Sequence, residues 1–333
     1  MKKILVIGAG GQIGSELTPA LRKIYGRDNV VASDLKLPVQ GDWVSEGISE
    51  QINATDAQQI ADAVKKYSID TIYNLAAILS ATAEANPILG WNIGMGSLLN
   101  CLEVAREFNC AVFTPSSIGA FGPETPPDNT PQDTIQRPKT IYGVTKVAGE
   151  LLSDYYFQRF GVDARSVRYP GIISNVTLPG GGTTDYAVEI YYAAVKGEKF
   201  ICPLPEDTFL DMMYMPDAIN AAINLMEADP SALKHRNSFN VTAMSFSPKT
   251  IYQEIKKHIP DFEIEYQIDP LKKAIAATWP NSMDDSCARR EWGWNPKFNL
   301  ETMTVDMLKV LGQRMEKNKT NLTHVATCHS ENH

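Results

Sequence analysis

The first twenty-five residues, MKKILVIGAGGQIGSELTPALRKIY, run from a short apolar stretch through a cluster of glycines into a helical pattern. Gly8, Gly11 and Gly14 fall at Gly-x-x-Gly-x-x-Gly spacing, whereas a Gly-x-Gly-x-x-Gly register fails because Ile13 stands at its last position. A strand that passes through such a turn into a helix aims the free N–H groups and positive dipole end of that helix at whatever the glycines admit. A pyrophosphate suits that place, and Gly8, Gly11, Gln12, Ile13 and Gly14 are the residues expected around it. Glycine-rich turns are frequent, so the weight comes from the placement between a first strand and a helix.

The rest of the chain repeats the alternation. Strands are expected at 3–8, 29–34, 71–77, 111–116 and 164–169, with a weaker one near 48–53. Helical spacing of apolar residues marks Gln12–Tyr25, Asp56–Tyr67, Trp91–Phe108 and Ile141–Phe160. Short apolar strands alternating with helices imply a parallel sheet covered on both faces. The expected fold class is therefore α/β: a Rossmann doubly wound parallel sheet with a smaller C-terminal substrate-binding lobe. Past residue 170 Pro/Gly-rich stretches such as TLPGGGTT interrupt the pattern, with helices expected at 185–197, 216–228, 247–258 and 300–316. This divides the chain into a nucleotide-binding unit over 1–170, to which about 210–242 returns, a lobe from 171–209 and 243–316, and a frayed tail over 317–333.

Composition removes several functions. A net charge of −8 with no basic run argues against nucleic acid as a partner. The apolar run after Lys2 and Lys3 is too short for a signal peptide, and no stretch is long enough to span a bilayer. Five scattered cysteines without Cys-x-x-Cys spacing suit a reducing compartment, so a cytoplasmic protein is expected. The tail residues His324, Cys328, His329 and His333 could ligate a metal, but they sit in a polar tail, and no metal is expected. Asn-x-Thr at Asn175, Asn240 and Asn321 matters only in a secreted chain.

Asp34 ends the second strand twenty residues past Gly14. A carboxylate there can bond both ribose hydroxyls and repel a 2′-phosphate, which favours NAD over NADP; an ordinary turn aspartate is the plainer alternative. Nearby Lys36 reads as a solvated lysine. Tyr142 and Lys146 are four residues apart at the start of a helix and so share a face. A lysine ammonium beside a phenol stabilises phenolate, which suits proton transfer. The same spacing recurs at Tyr192–Lys196 and Tyr252–Lys256, so spacing alone decides nothing. Context does: only Tyr142 follows a strand-end serine pair, Ser116-Ser117, at the sheet end where doubly wound folds place ligands. Ser117 could then bond the reacting oxygen.

The segments GAGGQIG, NLAA, SSIGAFG and YGVTK resemble the extended short-chain dehydrogenase/reductase family over nearly the whole chain. The resemblance implies that Ser117 and Tyr142 hold the substrate oxygen, that Tyr142 transfers its proton, and that Lys146 also binds the nicotinamide ribose. It implies that Leu35 follows Asp34 at the adenosine, that Asn53 and Ala54 contact adenine where many members have an aspartate, and that Leu75, Ala76 and Ala77 line the cofactor. Tyr169 and Ile172, in RYPGII, would pass the nicotinamide. Within the family the chain looks most like the L-threonine 3-dehydrogenases of epimerase-like ancestry, on PSSIGAFGP, RYPGIISNVTLPGGGTTDYAVEIY, MMYMPDAINA, SFSP and WPNSMDDSCARREWGW. That implies oxidation of the L-threonine β-hydroxyl to 2-amino-3-ketobutyrate with NAD, and a homodimer formed through the helices near 91–108 and 141–160. Ser80, Thr183 and Thr184 are then candidate substrate donors, with Trp279 closing the pocket and Gly180–Gly182 letting the loop move. Helix capping by the threonines and plain packing of Trp279 stay open as alternatives. A nucleotide-sugar epimerase or dehydratase, or a regulator that kept the fold without the chemistry, are the competing functions.

Overall fold

Each residue of the first strand is buried, and successive side chains feed opposite cores. A computed structural model describes residues 1–37, 46–78, 80–177, 180 and 182–330, the side chains of residue 81 and of 318–330 excepted. In β1 (Ile4–Ile7), Ile4 and Val6 join one apolar cluster while Leu5 and Ile7 join another. Because side chains alternate across a strand, only a sheet covered on both faces can satisfy such a sequence.

The central sheet consists of β1, β2 (Val30–Asp34), β3 (Ser49–Gln51), β4 (Thr71–Asn74), β5 (Ala111–Phe113) and β7 (Ala164–Arg165), in the order β3-β2-β1-β4-β5-β7. All five pairings are parallel. The strand order reverses between β1 and β4, which opens a crevice at their carboxyl ends. A second parallel set, β12-β8-β6, joins Phe239–Asn240, Val167–Tyr169 and Ser116–Ser117. The later lobe contributes β9 (Gly171–Ile173), β11 (Leu210–Tyr214) and β13 (Met244–Phe246) as one sheet, and β10 (Phe200–Cys202) with β14 (Ile264–Tyr266) as another.

The helices are α1 (Gly14–Tyr25), α2 (Ala57–Tyr67), α3 (Ser80–Ala85), α4 (Pro87–Phe108), α5 (Ile141–Phe160), α6 (Tyr186–Lys196), α7 (Met215–Glu227), α8 (Pro248–Lys256), α9 (Pro270–Ala276), α10 (Ser286–Trp292) and α11 (Leu300–Ser330). α2, α4 and α5 cover one sheet face, and α1 and α7 the other. Three of the expected bounds shift for local reasons. The strand expected over 71–77 stops at Asn74, where the chain turns away beside Gly8. α4 starts at Pro87, because a proline fits the first helical turn, where its missing N–H has no helical partner anyway. α11 runs past the expected end at residue 316, to Ser330. Within 210–242, β11 pairs with β9 and β13, whereas α7 packs in the cluster that holds Ile4 and Val6, and β12 pairs with β8. Gly181, His333 and the side chains of Asn321, His324, Cys328 and His329 lie outside the described residues.

One ion pair ties these layers together. Arg168 on β8 and Glu150 on α5 are both buried, with side-chain exposures of 7% and 5%. Arg168 Nε and Nη2 donate to the two Glu150 oxygens at 3.0 and 2.8 Å, and Nη1 donates to Gln132 O and Asn240 Oδ1. Glu150 also accepts from the Ser116 hydroxyl and from Gln136 Nε2. Removing one partner strands a buried charge, so Glu150→Ala is expected to lower unfolding stability by about 3–5 kcal/mol in urea titration. A loss below about 1 kcal/mol would show that the pair contributes no more than a surface bridge.

Candidate active site

The turn after β1 is a close-packed cradle. Gly8 has φ +85°, and a Cβ there would meet Leu75 C at 3.0 Å; a Cβ on Gly14 would lie 2.2 Å from Gly8 O. Only glycine permits this approach of backbone to backbone. Asp34 braces the same turn: its Oδ2 accepts the Gly10 N–H at 2.9 Å and its Oδ1 the Leu35 N–H at 2.7 Å. It therefore serves the local turn from the carboxyl end of β2. Lys36 is exposed.

The helix carrying Tyr142 is fixed at its start by two acceptors. Thr140 Oγ1 accepts from Gly143 N–H at 3.1 Å, and Glu84 of α3 accepts from Ile141 N–H at 2.6 Å, answering two of the first-turn donors. A Cβ on Gly143 would sit 2.2 Å from Gly119 O, and one on Gly119 would sit 3.2 Å from the Tyr142 ring. These two glycines let the Ser117 turn close onto the tyrosine. Ser117 Oγ accepts from Gly119 N–H at 3.1 Å, which leaves the hydroxyl hydrogen available to a ligand. Lys146 Nζ donates to Pro115 O at 2.7 Å and lies 5.3 Å from the Tyr142 ring centroid.

A cleft of about 390 Å³ brings most of the expected residues to one place. Its lining includes Gly8, Gly11, Gln12, Ile13, Gly14, Leu75, Ala77, Ser80, Ser117, Tyr142, Lys146, Tyr169, Ile172, Thr183, Thr184 and Trp279. Asp34, Leu35, Asn53 and Ala54 lie outside this lining, at or near the carboxyl ends of β2 and β3. Asn53 Oδ1 accepts from both the N–H and the hydroxyl of Thr55, so that acceptor is engaged locally. Tyr169 lines the cleft although its ring is buried: its hydroxyl donates to Ala218 O at 2.6 Å, and burial pushes the phenol well up. Neither Thr183 nor Thr184 caps α6 through its hydroxyl among the described residues. Trp279 packs against Ile118, Phe121 and Met283 and is also among the residues that line the cleft.

Ala76 lines a smaller cavity of about 40 Å³ behind Tyr142 and Lys146. Asn74 Oδ1, Thr114 Oγ1, Ser166 Oγ and Asn237 Oδ1, from residues that also line it, have no partner among the described residues. Such a lining is polar and roomy enough for water.

The sequence reading missed four residues of this arrangement: Gly119, Gly143, Asp185 and Glu150. Asp185 Oδ2 holds Gly182 N–H at 2.5 Å and so closes the glycine loop onto the cleft. The glycines were visible inside SSIGAFG and YGVTK, but their role is a contact between segments distant in sequence. Of the other Tyr/Lys pairs, Lys196 and Lys256 are exposed, and both pairs lie away from the cleft lining.

A parallel sheet with a glycine cradle at its switch point and a Ser/Tyr/Lys set facing it defines an oxidoreductase of the Rossmann class. The model of the NAD dependent epimerase/dehydratase family matches residues 4–242, and the chain belongs to that family. A protein of Staphylococcus saprophyticus described as an uncharacterized epimerase/dehydratase is 53% identical over 93% of this chain and 97% of its own. The L-threonine dehydrogenase from Clostridium difficile is 54% identical, with a TM-score of 0.93 over 94% of this chain and 98% of that one. A GalE-like L-threonine dehydrogenase from Cupriavidus necator, in its holo form, is 51% identical, with a TM-score of 0.90 over 93% and 99%. A monomeric L-threonine 3-dehydrogenase from a metagenome is 44% identical, with a TM-score of 0.89 over 93% and 99%. The chain is thus an NAD-dependent oxidoreductase acting on CH–OH groups of a small molecule.

Proposed function

We propose that this enzyme oxidises the β-hydroxyl of L-threonine to 2-amino-3-ketobutyrate. The observation that carries this reading is the charge of the cleft: among its described residues Lys146 is the single cation, and no arginine is present. A nucleoside diphosphate calls for several cationic or forked donors, whereas a small amino acid needs only a closed polar pocket. The similarity to three L-threonine dehydrogenases supports the same substrate.

The cradle fits a dinucleotide, because every Cβ that would block it is missing at Gly8 and Gly14. Gly8, Gly11, Gln12, Ile13 and Gly14 would hold the pyrophosphate, Asp34 and Leu35 the adenosine ribose, and Asn53 and Ala54 the adenine. With its Oδ1 engaged by Thr55, Asn53 would offer its amide hydrogens to a ring nitrogen rather than accept from the adenine amino group. Leu75, Ala76, Ala77, Tyr169 and Ile172 would border the nicotinamide half. Bound NAD supplies a hydride acceptor.

The chain's own residues manage the proton. Ser117 donates its free hydroxyl hydrogen to the substrate oxygen, and Tyr142 Oη takes the β-hydroxyl proton as general base. Lys146, held by Pro115 O at the next turn of α5, stabilises the phenolate and meets the nicotinamide ribose. Ser80, Thr183 and Thr184 anchor the amino acid, and Trp279 excludes water.

α4 and α5 pack on each other while Ile88, Leu89, Trp91 and Leu99 of one, and Val144, Leu151 and Tyr155 of the other, remain exposed. We propose that this face joins two chains into a homodimer. Sedimentation should give twice the mass of the chain, and Leu151→Glu half of that; a one-chain mass for the unaltered protein would refute the dimer. The four described cysteines, Cys101, Cys110, Cys202 and Cys287, are free, which supports a reducing, cytoplasmic setting.

With NAD and L-threonine the purified protein should produce NADH absorbance. Tyr142→Phe should keep NAD affinity within about twofold and lose at least about 100-fold in kcat. Isomerisation of a UDP-sugar without threonine turnover would replace this reading by the epimerase one. Full activity of the Phe variant would remove Tyr142 from the chemistry.

A further inference from the structure

A second cluster of chemically capable side chains lies apart from the cleft lining. Cys287 and Glu291 stand one turn apart on α10, and His235 precedes β12. One donor atom from each lies within 4.8 Å of the other two. His235 Nδ1 is 2.5 Å from Glu291 Oε1, and His235 Nε2 is 3.3 Å from Asp133 Oδ2. Cys287 and the Glu291 side chain are each 8% exposed, while the His235 side chain at 25% leaves an opening.

A histidine–carboxylate pair alone could simply tether α10 to the segment before β12. A tether has no use for a thiol at the same point, nor for a second carboxylate on the far ring nitrogen. Both are what a metal-binding histidine uses: a neighbouring ligand, and an acceptor that fixes the ring's tautomer. Glu291 is prepared in the same manner. Its Oε2 accepts from Lys234 N–H at 2.6 Å and His235 N–H at 3.0 Å, which leaves Oε1 for a ligand. Arg290 Nη2 donates to Cys287 Sγ at 3.2 Å, a bond that strengthens once the sulfur is a thiolate.

We propose that His235, Cys287 and Glu291 bind one divalent transition-metal ion of the zinc class, with Asp133 and Arg290 as hydrogen-bonding supports. Mixed nitrogen, sulfur and oxygen donors favour that class over calcium or magnesium. Binding requires the Cys287 thiol to release its proton and the imidazole to be neutral, with Nδ1 free for the ion and its one hydrogen on Nε2, facing Asp133. Ligand bonds of about 2.0–2.3 Å in a tetrahedron put donor atoms roughly 3.3–3.6 Å apart, so the His235–Glu291 contact must open by roughly 0.8 Å. Side-chain rotation can provide that. The ion would clamp α10, which begins seven residues after Trp279 of the cleft lining. Its main effect would fall on stability and a smaller one on turnover.

The test uses the full chain after chelation, titrated with Zn²⁺ by calorimetry and with Co²⁺ by absorption. One ion per chain, a thiolate-to-cobalt charge-transfer band and a Tm raised by several degrees are expected. Cys287→Ser should abolish the band, and His235→Gln should weaken Zn²⁺ binding at least about tenfold. Both variants should keep their circular dichroism and their metal-free turnover. Replacing the other donor set, by His324→Ala, Cys328→Ser, His329→Ala and His333→Ala together, should leave binding unchanged. No binding, binding that survives Cys287→Ser, or binding lost with the tail replacements would each overturn the site.

Discussion

The buried pair of Glu150 and Arg168 is the interaction on which the arrangement of this site depends. Two charges removed from water are costly, and the cost is offset only where every donor and acceptor is answered. Here Arg168 meets Glu150, Gln132 and Asn240, and Glu150 meets Arg168, Ser116 and Gln136. One bonded group thus joins α5, β6, β8, β12 and the 130–140 loop. Tyr142, Lys146 and Glu150 follow each other at four-residue steps along α5. The face that presents the phenol and the ammonium to the cleft is therefore anchored, one turn further on, into the sheet. Ser117 is the neighbour of Ser116, so the same anchor sets the serine against the tyrosine.

Around that anchor, close backbone approach completes the geometry. Gly119 and Gly143 bring the Ser117 turn onto the start of α5, as Gly8 and Gly14 bring α1 onto the turn after β1. The first contact brings Ser117 onto Tyr142, the groups proposed to react, and the second shapes the glycine cradle. Both lie at the carboxyl ends of the strands beside the switch point, so fold and chemistry share one location.

Much of this was legible in the sequence where the signal is local. The apolar runs gave five of the six strands of the central sheet directly, because Ile4–Ile7 or Val30–Asp34 has no other solution than a buried parallel strand. Tyr142, Lys146 and Ser117 emerged from their order along the chain. What was not legible depends on contacts across sequence. The resemblance put Asn53 at the adenine, but Thr55, two residues on, takes its oxygen. The resemblance put Tyr169 beside the nicotinamide but could not say that its strand turns the ring into the core. The one clue to the anchor was an arginine inside the apolar strand Val-Arg-Tyr, which could not be buried without a partner. The partner lies eighteen residues earlier on a helix, and no spacing rule points to it.

In the proposed reaction the site removes the β-hydrogen of L-threonine as hydride, and the hydroxyl proton leaves separately through Tyr142. L-threonine carrying deuterium at Cβ tests this most directly, by following where the label goes. The account predicts one deuterium at the nicotinamide C4 of each NADH formed, and none in water at early times. Deuterium released to solvent, or retained in an isomerised substrate without NADH, would contradict it.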